Sequence, residues 1–471
     1  MDGLECSEIN RSELERTLRI DSEFYSKSAI KVSDMLQSRS HDLLTTFVNV
    51  SDGNHMGISD CFIDEGVPYY RGQDAGAFFI ENSTPICINE KTFELPVMKR
   101  SHLKKGDVIL SIVGTIGSLS LVYSDKSATC SCKLAILRPK EGKSAELLAT
   151  FLRGKYGQAQ ITRFTRDAVQ KGLILEDMDQ LVVPTFGDGI VEAIKNAVQS
   201  AYQIQEKANI HYREAQRTLM NSVGSILVPA ESVSVRNIST SFYTTGRLDA
   251  EYYQPKYDIL FDELKKFSCK RLGGPNGIVN IKKSIEPGSE AYTEDGIPFV
   301  RVSDISKFGI SEPDIKLRSD IIPNPEVLFP PKDTILLSKD GSVGIAYKVE
   351  ATMPIITSGA LLHLKVRDKT EVLPDYLTLV LNSPVVQLQA ERDSNGAIIR
   401  HWKPSEIENV IIPILDMDTQ KEIAAKVQEA FTLRKQSKQL LEYAKQAVEM
   451  AIEQGEDVAL AWLKDKIPVE V

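Results

Sequence analysis

Arg19-Ile-Asp21-Ser-Glu23-Phe-Tyr25 returns as Arg247-Leu-Asp249-Ala-Glu251-Tyr-Tyr253, so residue 19 matches residue 247 at an offset of 228. Solenoid repeats have periods of about 20–50 residues, so a repeat this long indicates a duplicated domain. Two similar domains predict a partner with two similar halves. Three more pairs of stretches keep the register: Asp64-Glu-Gly66-Val-Pro68-Tyr-Tyr-Arg71 with Glu294-Asp-Gly296-Ile-Pro298-Phe-Val-Arg301, Glu176-Asp-Met-Asp-Gln-Leu-Val-Val-Pro184 with Ser405-Glu-Ile-Glu-Asn-Val-Ile-Ile-Pro413, and Val198-Gln-Ser-Ala201-Tyr202 with Val427-Gln-Glu-Ala430-Phe431.

The composition is that of an ordinary globular protein. The chain has 471 residues, 42% hydrophobic and 26% charged, which is enough for two or more domains. No apolar run reaches the roughly 18 residues that span a membrane, and the acidic start does not resemble a signal peptide. The net charge of −9 argues against a nonspecific nucleic-acid coat, but it leaves room for local basic patches or for a basic partner.

The cysteines favour a cytoplasmic protein with reduced thiols. A disulfide or zinc framework would have been duplicated with the fold, and none of the cysteine positions recurs at the repeat offset. The six are Cys6, Cys61, Cys87, Cys130, Cys132 and Cys269.

Each copy predicts the same order of elements, which makes the fold class α+β. A short amphipathic helix, over 21–43 or 249–267, precedes short apolar strands punctuated by Gly, Pro and Asp. One strand in each copy leads into a glycine loop, Gly114-Thr-Ile-Gly117 or Gly341-Ser-Val-Gly344. A helix, a polar loop and a strand ending in proline complete the copy.

After each of these prolines the sequence predicts a long helix with an alanine-rich seam. Forty helical residues make a rod of roughly 60 Å, and packing the two seams together is the simplest way to bury them. Antiparallel packing would put similar domains at opposite ends of a pseudo-twofold rod, an arrangement that suits a split DNA site. The seams are Ile190, Ile194, Ala197, Ala201, Ile204, Ala208, Tyr212, Ala215, Leu219 and Ile423, Val427, Ala430, Leu433, Ser437, Leu440, Ala444, Ala447, Ala451.

Four stretches of the second copy carry a resemblance to a known family: Gly296-Ile-Pro298-Phe-Val-Arg301-Val-Ser-Asp304-Ile, Ile335-Leu-Leu-Ser338-Lys-Asp340-Gly341-Ser-Val-Gly344, Ile412-Pro413, and Gln420-Lys-Glu422-Ile423. With them the chain resembles the specificity subunit of a type I restriction–modification system. The resemblance extends over the whole chain through the repeat and the order domain, helix, domain, helix.

The resemblance implies two target-recognition domains, each reading half of a bipartite double-stranded DNA site. It implies that the helices act as a spacer and dock two methyltransferase subunits, with restriction subunits able to join. It predicts a first domain over 1–183, a first spacer helix over 184–235, a second domain over 236–413 and a second spacer helix over 414–471.

The first copy departs from the family pattern in two places. Ser111-Ile-Val-Gly114 lacks the pair Lys339-Asp340, and Thr185-Phe-Gly-Asp-Gly-Ile190 lacks the Gln-Lys-Glu-Ile opening of the second long helix. These departures raise the questions of whether the first domain touches DNA with the same loop and whether it docks its partner as tightly.

The glycine loops are candidate phosphate contacts, because glycine lets backbone amides approach a phosphate closely. The loop side chains Thr115 and Ser342 share this prediction, as do Lys339 and Asp340 beside the second loop, and lysine is a frequent phosphate ligand. A simple hairpin turn is the competing interpretation.

Matched strands end at Arg71 and Arg301, and arginine commonly reads guanine or binds phosphate. Gln73 and Ser303 follow on the same turns and are candidates for hydrogen bonds to base edges. A structural salt bridge for the arginines and a capping role for their neighbours are the competing interpretations.

The polar loops before the last strand of each copy mix cations with amide groups, as phosphate and base contacts require. A solvated surface loop, with the tryptophan packed on the domain, is the competing interpretation. The candidates are Arg163, Arg166, Gln170 and Lys171 in the first copy and Asn395, Arg400, Trp402 and Lys403 in the second.

The sequence predicts a non-catalytic subunit without a cofactor or a metal. Gly142-Lys143-Ser144 echoes the end of a P-loop, but position 137 is Leu, so the phosphate cradle is missing. A Gly-x-Gly-x-x-Gly motif, an Asn-Pro-Pro-Tyr-type motif and a metal-binding histidine pattern are all absent from the sequence, which argues against a stand-alone methyltransferase. The alternative function is a coiled-coil protein-interaction scaffold with duplicated protein-binding domains.

Overall fold

The structure is a computed structural model, and it describes residues 6–14, 19–166, 171–224, 233–396 and 399–467. It divides into two compact units. The first comprises Met1–Glu206 and Arg434–Val471, and the second comprises Lys207–Leu433. Helices and strands mix in both units, as the α+β prediction requires.

The first unit contains two four-stranded sheets and one two-stranded sheet. The two-stranded sheet joins His41–Leu43 to Val182–Pro184. In neighbour order, the larger sheets are Val48–Asp52, Leu134–Pro139, Val108–Ser111, Leu119–Leu121 and Phe62–Ile63, Ile86–Ile88, Val67–Tyr70, Thr129–Cys130. The α-helices that lie wholly in this unit are Lys27–Gln37, Leu44–Phe47, Glu90–Phe93, Ala145–Arg153, Lys155–Phe164 and Glu456–Lys466.

The second unit repeats this topology and adds a small hairpin, Ile305–Ser306 with Gly309–Ile310. Its other two-stranded sheet joins Cys269–Arg271 to Ile411–Pro413. In neighbour order, the larger sheets are Val279–Lys283, Leu361–Val366, Ile335–Ser338, Ala346–Lys348 and Tyr292–Thr293, Lys316–Leu317, Ile297–Val300, Ile356–Thr357. The α-helices are Phe242–Thr245, Pro255–Leu264, Pro374–Leu381, Pro384–Asp393 and Pro404–Glu408.

Two long helices, Asp188–Val223 and Met417–Gln454, each contribute one segment to each unit. The range 414–471 therefore holds two helices, because Gly455 takes a φ of +100° and a separate helix follows it. The short helices predicted over 21–43 and 249–267 are confined to Lys27–Gln37 and Pro255–Leu264.

In the first unit the two long-helix segments run in opposite directions. The Ser437 hydroxyl donates to the Ala201 carbonyl at 2.7 Å, and the Gly187 amide donates to the Glu456 carboxylate at 2.7 Å. The alanines of both seams are buried in the same core as the sheet residues. The buried seam passes through Gln205 where the sequence suggested Ile204, which is half-buried.

The corresponding segments of the second unit also run antiparallel. Thr218 hydrogen-bonds Glu422 at 3.3 Å, and His211 lies 3.5 Å from Glu429. A buried ion pair fixes the domain to its helix. Asp375 Oδ1 lies 2.8 Å from the Lys348 amine, and Asp375 Oδ2 accepts from Gln428 of the long helix at 2.9 Å.

Candidate nucleic-acid interface

In each copy, one strand leads into a tight turn that begins with an arginine. The backbone N–H of Arg71 donates to the Asp74 carboxylate at 2.8 Å, and Arg301 donates to Asp304 at the same distance. The two aspartates are buried under their turns. They fix the turns as caps. Gln73 and Ser303 are exposed on these turns, and the Ser303 hydroxyl donates to the Asp304 carboxylate at 3.0 Å. We call these the arginine turns, residues 71–74 and 301–304.

The glycine loops, residues 114–117 and 341–344, follow buried strands and are held by matching glutamines. Gln158 donates to the Gly117 carbonyl at 3.0 Å, and Gln387 donates to the Gly344 carbonyl at 2.8 Å. Gly117 and Gly344 have φ values of +87° and +88°, a region in which most L residues are strained. The tight-turn interpretation is therefore correct for the backbone, whatever the loops bind.

The polar loop of each copy is closed at its base. We call the described residues of these loops, 166 and 171–172 or 395–396 and 399–401, the hairpins. Two backbone hydrogen bonds close each one, between Arg166 and Gly172 at 2.9 and 3.2 Å and between Asn395 and His401 at 3.1 and 2.7 Å. The next residue ties the hairpin to the strand before the glycine loop, because Leu173 N donates to the Ile112 carbonyl at 3.0 Å. Trp402 N makes the same bond to the Lys339 carbonyl at 2.8 Å.

A short bridge segment, residues 131–133 or 358–360, connects the arginine turn to the glycine loop in each unit. In the first unit, Ser131 N donates to the Tyr70 carbonyl at 2.9 Å and Ile112 N donates to the Lys133 carbonyl at 3.0 Å. The second unit has the same two bonds, Ser358 to Val300 and Lys339 to Ala360, both 2.9 Å. Arginine turn, bridge segment, glycine loop and hairpin are thus one connected surface in each unit.

In the first unit the Thr115 hydroxyl adds a direct link by donating to the Gly72 carbonyl at 3.0 Å. Eight of the predicted contact residues are exposed on these surfaces. They are Gln73, Thr115 and Lys171 in the first unit and Ser303, Ser342, Asn395, Arg400 and Lys403 in the second. Gln170 lies outside the described residues.

Several predicted contacts are occupied by internal partners. Arg166 makes two bonds of 2.7 Å to Asp177, and Arg163 donates to the Phe24 carbonyl at 2.9 Å while its guanidinium lies over the Phe24 ring. Arg71 and Arg301 are half-buried, beside the aspartates of their own turns. All four arginines thus make internal contacts. Those of Arg71 and Arg301 are the structural salt bridges named as the competing interpretation of the sequence.

Lys339 and Asp340 are likewise paired with each other. The lysine side chain is only 13% exposed, and Asp340 Oδ1 also lies 2.8 Å from His401 Nδ1. Burial acts to raise the pKa of Asp340, but the hydrogen bonds from Lys339 and His401 outweigh it and hold the pKa below its usual value. The prediction that Lys339 meets phosphate needs correction, because its amine is already neutralised within the fold.

The structure does not place Trp402 at the surface. Its side chain is 1% exposed and packs in the second unit's core with Val410 and Ile412. It therefore anchors the end of the hairpin instead of contacting DNA, as the competing interpretation of this loop supposed.

Lys133 is an exposed cation beside the first glycine loop that the sequence did not single out. It occupies the position of Ala360 in the second unit, while Ile112 occupies the position of Lys339. The lysine thus stands in the bridge segment in one copy and at the strand end in the other, where Asp340 pairs with it. The recurrence of Gln158 as Gln387, at offset 229, is a signal that could have been found in the sequence.

Among the described residues, no group of His, Cys, Asp or Glu has the arrangement of a metal site. Within the same residues, no helix is long and apolar enough to span a lipid bilayer.

The surroundings of the first glycine loop predict unequal losses of folding stability for two alanine substitutions. Gly114→Ala adds a side chain into open space at φ +84°, so we expect a loss of about 1 kcal/mol from backbone strain. In Gly117→Ala the new Cβ would also lie 2.7 Å from Gln158 Oε1, which must move and lose its carbonyl partners, so we expect about 1 kcal/mol more. Urea unfolding of both variants measures the difference, and equal losses would contradict the role assigned to Gln158.

Comparison with known proteins gives a family match for the second copy. Residues 265–443 match the family described as "Type I restriction modification DNA specificity domain". A search of curated proteins by sequence gives no match.

Solved structures that resemble the chain carry related descriptions. An S subunit of a type I restriction–modification system from M. genitalium is 14% identical, with 90% of this chain and 95% of that chain covered and a TM-score of 0.37. The HsdS subunit from Thermoanaerobacter tengcongensis is 16% identical, with 92% and 97% covered and a TM-score of 0.27. A chain from a study of type I R-M complex assembly and conformational transition is 15% identical, with 92% and 98% covered and a TM-score of 0.28.

Proposed function

We propose that this chain belongs to the type I restriction–modification specificity family, whose model matches residues 265–443, and that both of its copies read DNA. The chain would be the sequence-recognition subunit of a complex whose partners carry out the chemistry. One observation carries the extension from the matched copy to the first. The hydrogen bonds that join arginine turn, bridge segment, glycine loop and hairpin recur in both copies at offsets of 227–230.

The connected surface of each copy supplies the two kinds of contact that specific DNA binding needs. Backbone amides and exposed cations suit phosphates, while amide and guanidinium side chains suit base edges. In the second copy Arg400 is exposed, has no ion-pair partner among the described residues, and lies where Gly341 N donates to its carbonyl at 2.9 Å. In the first copy Lys133 provides the exposed cation. The two surfaces would therefore read different half-sites.

The long helices supply the second part of the proposal. We infer that the antiparallel pairing seen within each unit continues as one spacer, with a recognition domain at each end and methyltransferase subunits docked along it. The net charge of −9 gives the isolated chain little long-range attraction for DNA. High affinity for DNA would then depend on the partner subunits.

The deciding experiment combines the chain with the methyltransferase encoded beside it and a library of random duplexes. Selection and sequencing should enrich a bipartite site with a fixed gap, and the isolated chain should bind that site far more weakly at the same salt concentration. A protein-interaction scaffold would enrich no sequence. Tight specific binding by the isolated chain would contradict the dependence on partners.

Two substitutions separate phosphate contacts from base contacts. Lys133→Ala should weaken binding to all duplexes about equally and reduce the salt slope by about 1, because a phosphate contact carries no sequence information. Arg400→Ala should relax the preference at one base position by roughly 1–3 kcal/mol. Binding titrations over a salt series measure both effects. An unchanged salt slope in the Lys133 variant would remove the phosphate assignment.

A further inference from the structure

The hairpins of the two copies share a backbone but differ in the side chains that hold them. Both are closed by paired backbone hydrogen bonds and both hang from the strand before the glycine loop. The described residues between these bonds are exposed, and they are Lys171 in the first copy and Gly396, Ile399 and Arg400 in the second. Side-chain interactions must therefore contribute to fixing the orientation of each hairpin.

In the first copy, a bidentate arginine–carboxylate ion pair, called the fork below, holds the hairpin in place. Arg166, the first residue of the hairpin, makes two bonds of 2.7 Å to Asp177, whose side chain is only 3% exposed. A fork of this geometry fixes direction as well as distance. The equivalent positions in the second copy, at offset 229, hold Asn395 and Glu406, so the fork was not duplicated.

In the second copy, a carboxylate between a lysine and a histidine holds the hairpin. Asp340 lies in the strand end next to the hairpin, bonded to Lys339 and 2.8 Å from the His401 ring at the end of the hairpin. The equivalent positions in the first copy are Ile112, Val113 and Gly172, which carry no charge. Each hairpin thus has its own charged clasp, absent from the other copy.

The second clasp lies next to a side chain proposed to read bases. The first clasp holds Arg166, whose backbone pairs with Gly172, the residue after the exposed Lys171. Arg400 precedes His401, and its carbonyl accepts from Gly341, the residue after Asp340. A recognition group must be held within about 0.5 Å and 10–20° of its productive geometry to discriminate. Removing a clasp would leave the hairpin closed but free to change its angle to the surface.

We propose that Asp177 and Asp340 are positioning residues, each of which fixes one hairpin and so sets the selectivity for one half-site. This inference rests on the proposed function. It assigns no DNA contact to either aspartate, and it makes selectivity in the two half-sites depend on two unrelated devices.

The test uses the complex with its methyltransferase subunits and duplexes that carry single substitutions in either half of the selected site. Asp340→Val introduces the residue that the first copy has at this position, and Asp177→Asn keeps the size of the side chain while removing its charge. Asp262→Asn, which breaks an exposed pair with Lys265 on a helix of the second unit, is the matched control.

Asp340→Val should lower the preference for the correct bases about tenfold in one half-site and leave the other half within about twofold. Asp177→Asn should do the same in the opposite half-site, and Asp262→Asn should change neither. The salt slope should not decrease in any of the three, because no phosphate contact is lost. Asp340→Asn, which retains an acceptor for His401, should give an intermediate loss and serves if the valine variant does not fold.

Equal loss in both half-sites would indicate a general folding defect and overturn the proposal, as would unchanged selectivity or a smaller salt slope. Failure of the proposed function gives a different result, because the unmodified complex would then enrich no bipartite site in the first place.

Discussion

A chimera that carries the second recognition segment twice is expected to recognise an inverted repeat of the second half-site. In it, residues 272–410 stay in their own place and a second copy of them replaces residues 44–181. The junctions lie just inside equivalent strand pairs, His41–Leu43 with Val182–Pro184 and Cys269–Arg271 with Ile411–Pro413. The exchanged segment therefore enters a frame that already accommodates its counterpart. It carries the whole arginine turn, glycine loop and hairpin of the second copy, so one half of the target should be replaced completely.

The repeat should be inverted because antiparallel helices would relate the two domains by a twofold axis across the spacer. Mapping of methylated bases in cells that express the chimera and its methyltransferase partner measures the outcome. The reciprocal chimera, with residues 44–181 in place of 272–410, is the control and should give an inverted repeat of the first half-site. An active chimera that retains the original site, or that reads a direct repeat, would contradict independent reading or the proposed symmetry.

The backbone arrangement shared by the two copies was predictable, because the backbone repeats where the sequence repeats. Gly114-Thr-Ile-Gly117 and Gly341-Ser-Val-Gly344 fold alike, since both loops need the same positive φ and the same glutamine. The long helices were predictable from their alanine seams for a similar physical reason. The exact seam was not, because 3.6 residues per turn lets a stripe drift, and Gln205 takes the buried position next to Ile204.

The use of individual charges was much less predictable. Lys339 has the composition of a phosphate ligand, yet its direction toward Asp340 depends on how strand and hairpin meet. Arg166 finds Asp177 eleven residues away, and a sequence cannot distinguish such a fork from a free cation. Lys133 reaches the first glycine loop through a bridge segment that is close in space and distant in sequence. Tertiary contacts, not residue types, decide which cations remain available.

Changing the length of the spacer should change the gap between the half-sites without changing their sequences. The pairings of Ala201 with Ser437 and of His211 with Glu429 put residue 207 opposite about residue 432. Four residues inserted after Lys207 and four after Thr432 lengthen both helices together. They add about 6 Å, which corresponds to one or two base pairs at about 3.4 Å per step.

Two residues inserted at each of the same positions should instead abolish activity. At about 100° per residue they rotate each helix by about 200°, which turns the alanine seams away from each other. Four residues complete slightly more than one turn and nearly restore the seam, so the two lengths form a matched pair of variants. Methylation mapping and selection from duplexes with gaps of different length measure both. If the four-residue variant is active with its gap unchanged, the helices do not set the distance, and activity in the two-residue variant would show that seam packing is dispensable.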